Sequence, residues 1–335
     1  MTDYYEQFES PPLVTVQKKD NERYLLHIGL FILTFLTSTL AGAFWVTGRS
    51  GPYDISFIWE GLPYSISIMF IITCHEFGHY FAAKHHKVKA TLPFYVPLPP
   101  IPFLLNFGTM GAVIKTKSPI RTNKAMFDIG VAGPLAGFIA TLIVLIIGFN
   151  NLPGFEHILE IHPNYYSEEF RNSAGQLSFG STILFEALKG LFVGPSEFFP
   201  PMSEVYHSPY LCAGWFGMLV TAMNMIPVGQ LDGGHIGYTM FGQKKHDAIA
   251  SVSFIILILL GLLGAFELAF KIDLQIGWIG WLIWGMILYY FIKIQHPPIY
   301  DDIELNTGRK IIGYLSYFIL IISFSPSPFI LSLGI

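Results

Sequence analysis

The chain alternates long apolar runs with short polar, basic or Pro/Gly-rich connections. A spanning helix needs about 20 mainly apolar residues. Runs of that kind fall at 24–46, 57–83, 126–149, 208–228, 248–270, 274–293 and 311–333. The pattern predicts an all-α polytopic membrane protein of about seven transmembrane helices. Two of the runs are not uniform. The second carries "CHEFGH", and the fourth passes into "NMIPVGQLDGGH".

Two connections are too apolar to be ordinary loops. Residues 91–120, "TLPFYVPLPPIPFLLNFGTMGAVIKTKSPI", hold too many Pro and Gly for a spanning helix. Non-helical backbone at membrane depth survives only when buried in protein or lining a wet cavity. The segment is therefore expected to be a re-entrant, β-hairpin-like loop, with strand-like alternation at 107–115 offering an exposed edge. The 150–207 connection includes "LSFGSTILFEALKGLF", expected to be an interfacial amphipathic helix. Neither a repeat nor an appended soluble domain is visible. The division expected is a cytosolic tail at 1–23 and one membrane-embedded domain at 24–335.

Composition agrees with this reading. The 335 residues are 52% hydrophobic and only 13% charged, against about 25% charged in soluble proteins. A net charge of −4 offers no basic patch for nucleic acid, so the lipid bilayer is the expected surroundings. Cys74 and Cys212 are the two cysteines. They form no zinc-like pair and no disulfide framework.

Basic residues then set the orientation. With the N-terminus in the cytosol, fifteen Lys and Arg fall inside and four outside, Arg49, Arg171, Lys189 and Lys271. This is the positive-inside asymmetry. The 150–207 connection, with seven glutamates and two basic residues, is then external.

The chemistry lies in "HEFGH". On a helix His75 and His79 share one face one turn apart and can present two imidazoles to one metal ion. Glu76 projects beside them, placed to take a proton from water activated there. Ionisable groups within a span cost some 2.5–3.5 kcal/mol each on insertion scales, so three within five residues imply a task. His85 and His86, in "KHHKVKA", are expected at the surface. A catalytic zinc site commonly has three protein ligands. Asp232 is the best-placed third ligand, because Pro227, Gly229, Gly233 and Gly234 imply a broken helix that can turn a side chain inward. His235 and Asp128 compete for the role. Gly130, Gly133 and Gly137 are read as close helix-packing positions.

"HEFGH" together with "NMIPVGQLDGG" on a second span resembles the site-2 protease family of intramembrane zinc metalloproteases. "LNFGTMGAVIKTKSPIRTNKAMFDIGVAGPLAG" and "HPPIYDDIELNTGRKIIGYLSY" are similar to the branch without a PDZ insertion, found in bacteria, cyanobacteria and chloroplasts. The resemblance covers most of residues 60–315. It implies Zn2+ held by His75, His79 and Asp232, Glu76 as general base and acid, and Asn224 orienting substrate. It also implies that the Pro/Gly-rich hairpin, with Gly108 and Gly111, holds a substrate strand. The substrates implied are transmembrane proteins cut within the bilayer, as in regulated intramembrane proteolysis. The location expected is a prokaryotic inner membrane, with a cytosolic N-terminus. Two other readings remain open. A membrane metal transporter would use the same three ligands as a transit site, and an inactive relative would bind membrane proteins without cutting them.

Overall fold

The computed structural model of the chain describes residues 23–49, 55–99, 106–171, 176–272, 274–299, 301 and 303–332. The expected tail at 1–23 therefore lies almost wholly outside the described residues. The fold is mainly helical. In chain order the elements are α1 (Tyr24–Thr47), α2 (Ile55–His85), β1 (Phe94–Pro97), β2 (Thr109–Val113), α3 (Asn123–Asn150), α4 (Phe155–Ile161), α5 (Glu168–Arg171), β3 (Leu177–Phe179), α6 (Ile183–Phe192), α7 (Pro209–Met225), α8 (Asp232–Phe241), α9 (Gln243–Phe270), α10 (Gly280–Ile287), α11 (Thr307–Ser323) and β4 (Phe329–Leu331).

Among the described residues, four helices are long and apolar enough to cross a membrane: α1, α2, α3 and α9. The other three expected runs also form helices, but shorter ones. α7 has 17 residues and stops at Met225, just ahead of Pro227. α10 passes into a π-helical stretch at Leu288–Ile292. α11 ends at Ser323, not at 333. Pro326 and Pro328 cannot extend its ladder. The residues beyond them form β4, which pairs antiparallel with β3. The expected amphipathic helix at 177–192 is accordingly divided into β3 and α6, with the Thr182 hydroxyl capping α6 at the Phe185 N–H.

α2 is central, packed chiefly against α1 and α3, and α3 packs in turn on α7 and α8. Aromatic side chains fill the far end of this core. Phe179 of β3 stacks on Trp215 of α7 with ring centroids 4.3 Å apart, and the Trp215 indole N–H donates to the Gly180 carbonyl. α9 stands at the edge, with only 22% of its most apolar window buried. Its exposed Ile255, Leu259 and Leu262 form the kind of face that lipid covers.

The 91–120 segment contains an antiparallel β pair, β1 with β2, in the register Phe94↔Val113, Tyr95↔Ala112 and Pro97↔Thr109. The tip of the expected hairpin, 100–105, lies outside the described residues. Helix side chains hold the strands. The Thr37 hydroxyl donates to the Gly108 carbonyl at 2.6 Å, the Trp45 indole to Asn106 O at 2.8 Å, and the Tyr64 hydroxyl to Phe107 O at 3.0 Å.

Candidate active site

His75 and His79 stand one turn apart on α2, and their Nε2 atoms are 3.1 Å from each other. Asp232 reaches them from the first turn of α8. Its Oδ2 lies 3.3 Å from His75 Nε2 and its Oδ1 3.3 Å from His79 Nε2. The chain breaks between α7 and α8 as the Pro and Gly positions predict, which turns the carboxylate inward. Both histidines and Glu76 are buried.

α3 supplies the space for the imidazoles. A Cβ on Gly133 would overlap the His79 ring, and one on Gly137 would come within 3.0 Å of His75 Cβ. These glycines, expected to serve helix packing, thus form the wall behind the two rings. His79 Nδ1 lies 2.7 Å from the Ile129 carbonyl. A carbonyl can only accept, so Nδ1 carries the proton and the Nε2 lone pair faces Asp232.

The three groups border a cavity of about 450 Å³ that Glu76, Asn224, Ala112, Val113 and His296 also line. Ile114, just past the end of β2, lines the cavity beside Glu76. Asn224, near the end of α7, is thereby brought to the same cavity as the triad. Gly108 and Gly111 stand at one remove from it. Gly108 is pressed against Ser38 of α1, while Gly111, at φ +94°, has open space where a side chain would be.

The competing ligands are engaged elsewhere. Asp128 accepts two bonds from Arg309, at 2.7 and 2.8 Å, and a contact from His86 at 2.8 Å. His86 is accordingly half-buried, unlike its exposed neighbour His85. His235 Nδ1 pairs with His296 Nε2 at 2.7 Å. His296 was not identifiable from sequence. It arrives from an irregular stretch, "QHPP", that has no periodicity to place it.

The sequence profile of peptidase family M50 matches residues 63–260, more than half of the chain. The chain belongs to peptidase family M50. The match includes both His75–His79 and the Asp232 region of this M50 protein. "Probable zinc metalloprotease EGY1, chloroplastic" of Oryza sativa subsp. japonica is 28% identical over 282 residues, which is 81% of this chain and 42% of the relative. "Probable zinc metalloprotease EGY2, chloroplastic" of Arabidopsis thaliana is 25% identical over 277 residues, 82% of this chain and 44% of the relative. "Probable zinc metallopeptidase EGY3, chloroplastic" of the same plant is 27% identical over 307 residues, 89% of this chain and 47% of the relative. The M50 chain thus spans less than half the length of these relatives.

The donor set fits zinc. Tetrahedral ligands at about 2.0–2.2 Å from the ion stand about 3.3 Å from one another. The donor separations here are 3.1, 3.3 and 3.3 Å. Three lone-pair donors converging in a buried space, with the outer nitrogen of His79 fixed by the Ile129 carbonyl, suit a bound cation.

Proposed function

We propose that this chain is an intramembrane zinc metalloprotease that hydrolyses peptide bonds within transmembrane segments of other membrane proteins. The observation that carries the reading is the edge of β2 lying along the wall of the cavity that holds His75, Glu76, His79 and Asp232. A transmembrane helix shields its own carbonyls, so a substrate must unwind before it can be cut. An unwound segment needs hydrogen-bonding partners, and a free strand edge supplies them by strand addition. Met110 and Val113, 70% and 57% exposed on that strand, suit an apolar substrate.

His75, His79 and Asp232 are assigned as the zinc ligands. Zinc, when bound, supplies Lewis acidity and makes water nucleophilic near neutral pH. Glu76 takes the proton of the attacking water and returns it to the leaving amine. Asn224 is placed to hydrogen-bond the substrate backbone. Gly111 leaves the strand free of a side chain where the substrate approaches.

The remaining features of the reading are a chain of about seven spans, counting α7, α10 with its π-helical extension, and α11, and a β1–β2 loop that re-enters the membrane. The positive-inside asymmetry supports a cytosolic N-terminus. A prokaryotic inner membrane is the proposed location.

The test is Glu76→Gln, assayed beside the wild type on a tagged single-span substrate in liposomes. Gln keeps the shape but cannot accept the proton. Cleavage is expected to fall by roughly 10²–10⁴-fold with zinc content unchanged. Equal cleavage by the two proteins would remove Glu76 from the mechanism. Absence of cleavage by the wild type would favour the inactive-relative reading.

A further inference from the structure

A second group of metal-type donors lies at the other end of the molecule. His162, which follows α4, and Glu204 and His207, in the turn ahead of α7, converge beside the C-terminus of α1. The Nε2 atoms of His162 and His207 are 3.1 Å apart. Glu204 Oε2 is 3.5 Å from each of them. His75 lies about 30 Å along α2 from the end nearest this group, at 1.5 Å per residue, so the two clusters are separate.

The arrangement repeats the logic of the first site on unrelated elements. His207 Nδ1 lies 3.1 Å from the Val46 carbonyl, just as His79 Nδ1 meets the Ile129 carbonyl. The carbonyl must accept, so His207 carries its proton on Nδ1 and directs a bare Nε2 lone pair inward. Glu204 is 4% exposed and His207 2% exposed. Ser203 bonds Glu204 Oε1, whereas Oε2, aimed between the imidazoles, makes no hydrogen bond among the described residues.

A proton inventory exposes the deficit. With Glu204 ionised, its oxygen and His207 Nε2 bring no hydrogen, and a neutral His162 can bring at most one to its Nε2. Three converging acceptor atoms thus share at most one proton, in a place where unsatisfied acceptors are costly. One divalent cation satisfies all three. Separations of 3.1–3.5 Å bracket the spacing of about 3.3 Å expected between tetrahedral zinc ligands.

The end of α1 completes the setting. Its Val46 carbonyl meets His207 Nδ1, and the C-terminal end of a helix is the negative end of its dipole, which favours a cation. Gly48 closes α1 at φ +62°, where a Cβ would come 3.3 Å from His207 Cε1.

We propose that His162, Glu204 and His207 form a second binding site for a zinc-type divalent cation, which ties the 150–207 connection to the end of α1. The donors, two imidazoles and one carboxylate, suit zinc among the common cations. One coordination position remains for water. This site is independent of the proposed proteolysis and does not require it.

The test counts metal. The full chain, purified in detergent, is equilibrated with zinc chloride, desalted and assayed by elemental mass spectrometry. The wild type is expected to hold about two zinc ions per chain, one at each three-donor site. His162→Ala and His79→Ala are each expected to hold about one, and the double variant about none. His162 is half-buried at the rim of the cluster, and retention of the other zinc reports that the variant is folded. Glu204→Gln, which keeps the side chain's shape, is expected to lose the same ion as His162→Ala. The proposal is overturned if the zinc content of His162→Ala and of Glu204→Gln equals that of the wild type. It also fails if all bound zinc disappears with His79→Ala alone. A single zinc that survives His79→Ala but not His162→Ala would sustain this site and count against the other.

Discussion

Gly133 faces the His79 imidazole so closely that a methyl group at that position would lie against Nε2, the atom turned toward Asp232. Gly133→Ala should therefore displace the ring from its partners. Overpacking of this kind costs about 1–3 kcal/mol. The expected result is loss of zinc from this site, with cleavage falling in step. Gly137→Ala, which meets His75 Cβ at 3.0 Å, should act in the same direction but less strongly. Zinc titration of both variants measures the difference, and tight binding by Gly133→Ala would refute the cradle.

Two aspartates reach the inner ends of these helices with opposite roles. Asp128 bridges Arg309 and His86, whereas Asp232 meets His75 and His79. Asp128→Asn should lower the melting temperature, since hydrogen bonds to charged groups contribute about 1.5–3 kcal/mol. It should keep zinc at the His75–His79 site. Asp232→Asn should do the reverse, losing that zinc with a smaller change in stability. A thermal melt and a metal assay on each variant distinguish the two. Zinc retained in full by Asp232→Asn would reopen the question of the third ligand.

Gly108 and Gly111 both adopt positive φ, +76° and +94°, but in different surroundings. Gly108→Ala would drive a methyl into the α1 backbone at Ser38 and should destabilise the whole fold. Gly111→Ala has room and meets only backbone strain, of order 1–3 kcal/mol. It should raise KM for a transmembrane substrate more than it lowers kcat. An unchanged KM would separate β2 from substrate binding.

Side-selective labelling checks the orientation. Asp128, bonded to both Arg309 and His86, puts the start of α11 beside the end of α2 and the start of α3. Cysteines at Lys117 and Lys244 should thus be labelled from the cytosol, and a cysteine at Glu168 from the opposite side. Labelling of Lys117→Cys from outside would invert the topology.

The His75–Glu76–His79 unit was legible because helical periodicity places i and i+4 together. Asp232 was legible because a carboxylate among apolar residues, flanked by Pro and Gly, has few other uses. Gly130, Gly133 and Gly137 announced close packing, but only the fold reveals that Gly133 and Gly137 pack against imidazoles. The β3–β4 ladder left no signal. Each strand has three residues, and Leu177 pairs with Leu331 far along the chain. The last apolar run looked continuous to 333 because apolar character outweighed the two prolines at 326 and 328. Glu204 and His207 stand at i and i+3, but His162 lies 45 positions before His207, so completing the trio depends on tertiary structure.

The β3–β4 pairing has a consequence for biogenesis. Leu177–Phe179 leave the ribosome long before Phe329–Leu331 exist to pair with them. At synthesis rates of about 5–20 residues per second, the gap is roughly 8–30 s. Throughout that interval Phe179 and Trp215, which later lie with Phe329 in one aromatic cluster, have no lid. The far side of the molecule is therefore sealed last, after α7 and α8 have been made and Asp232 can already have met the histidines. Translation closes this protein from the His75–Asp232 end outward.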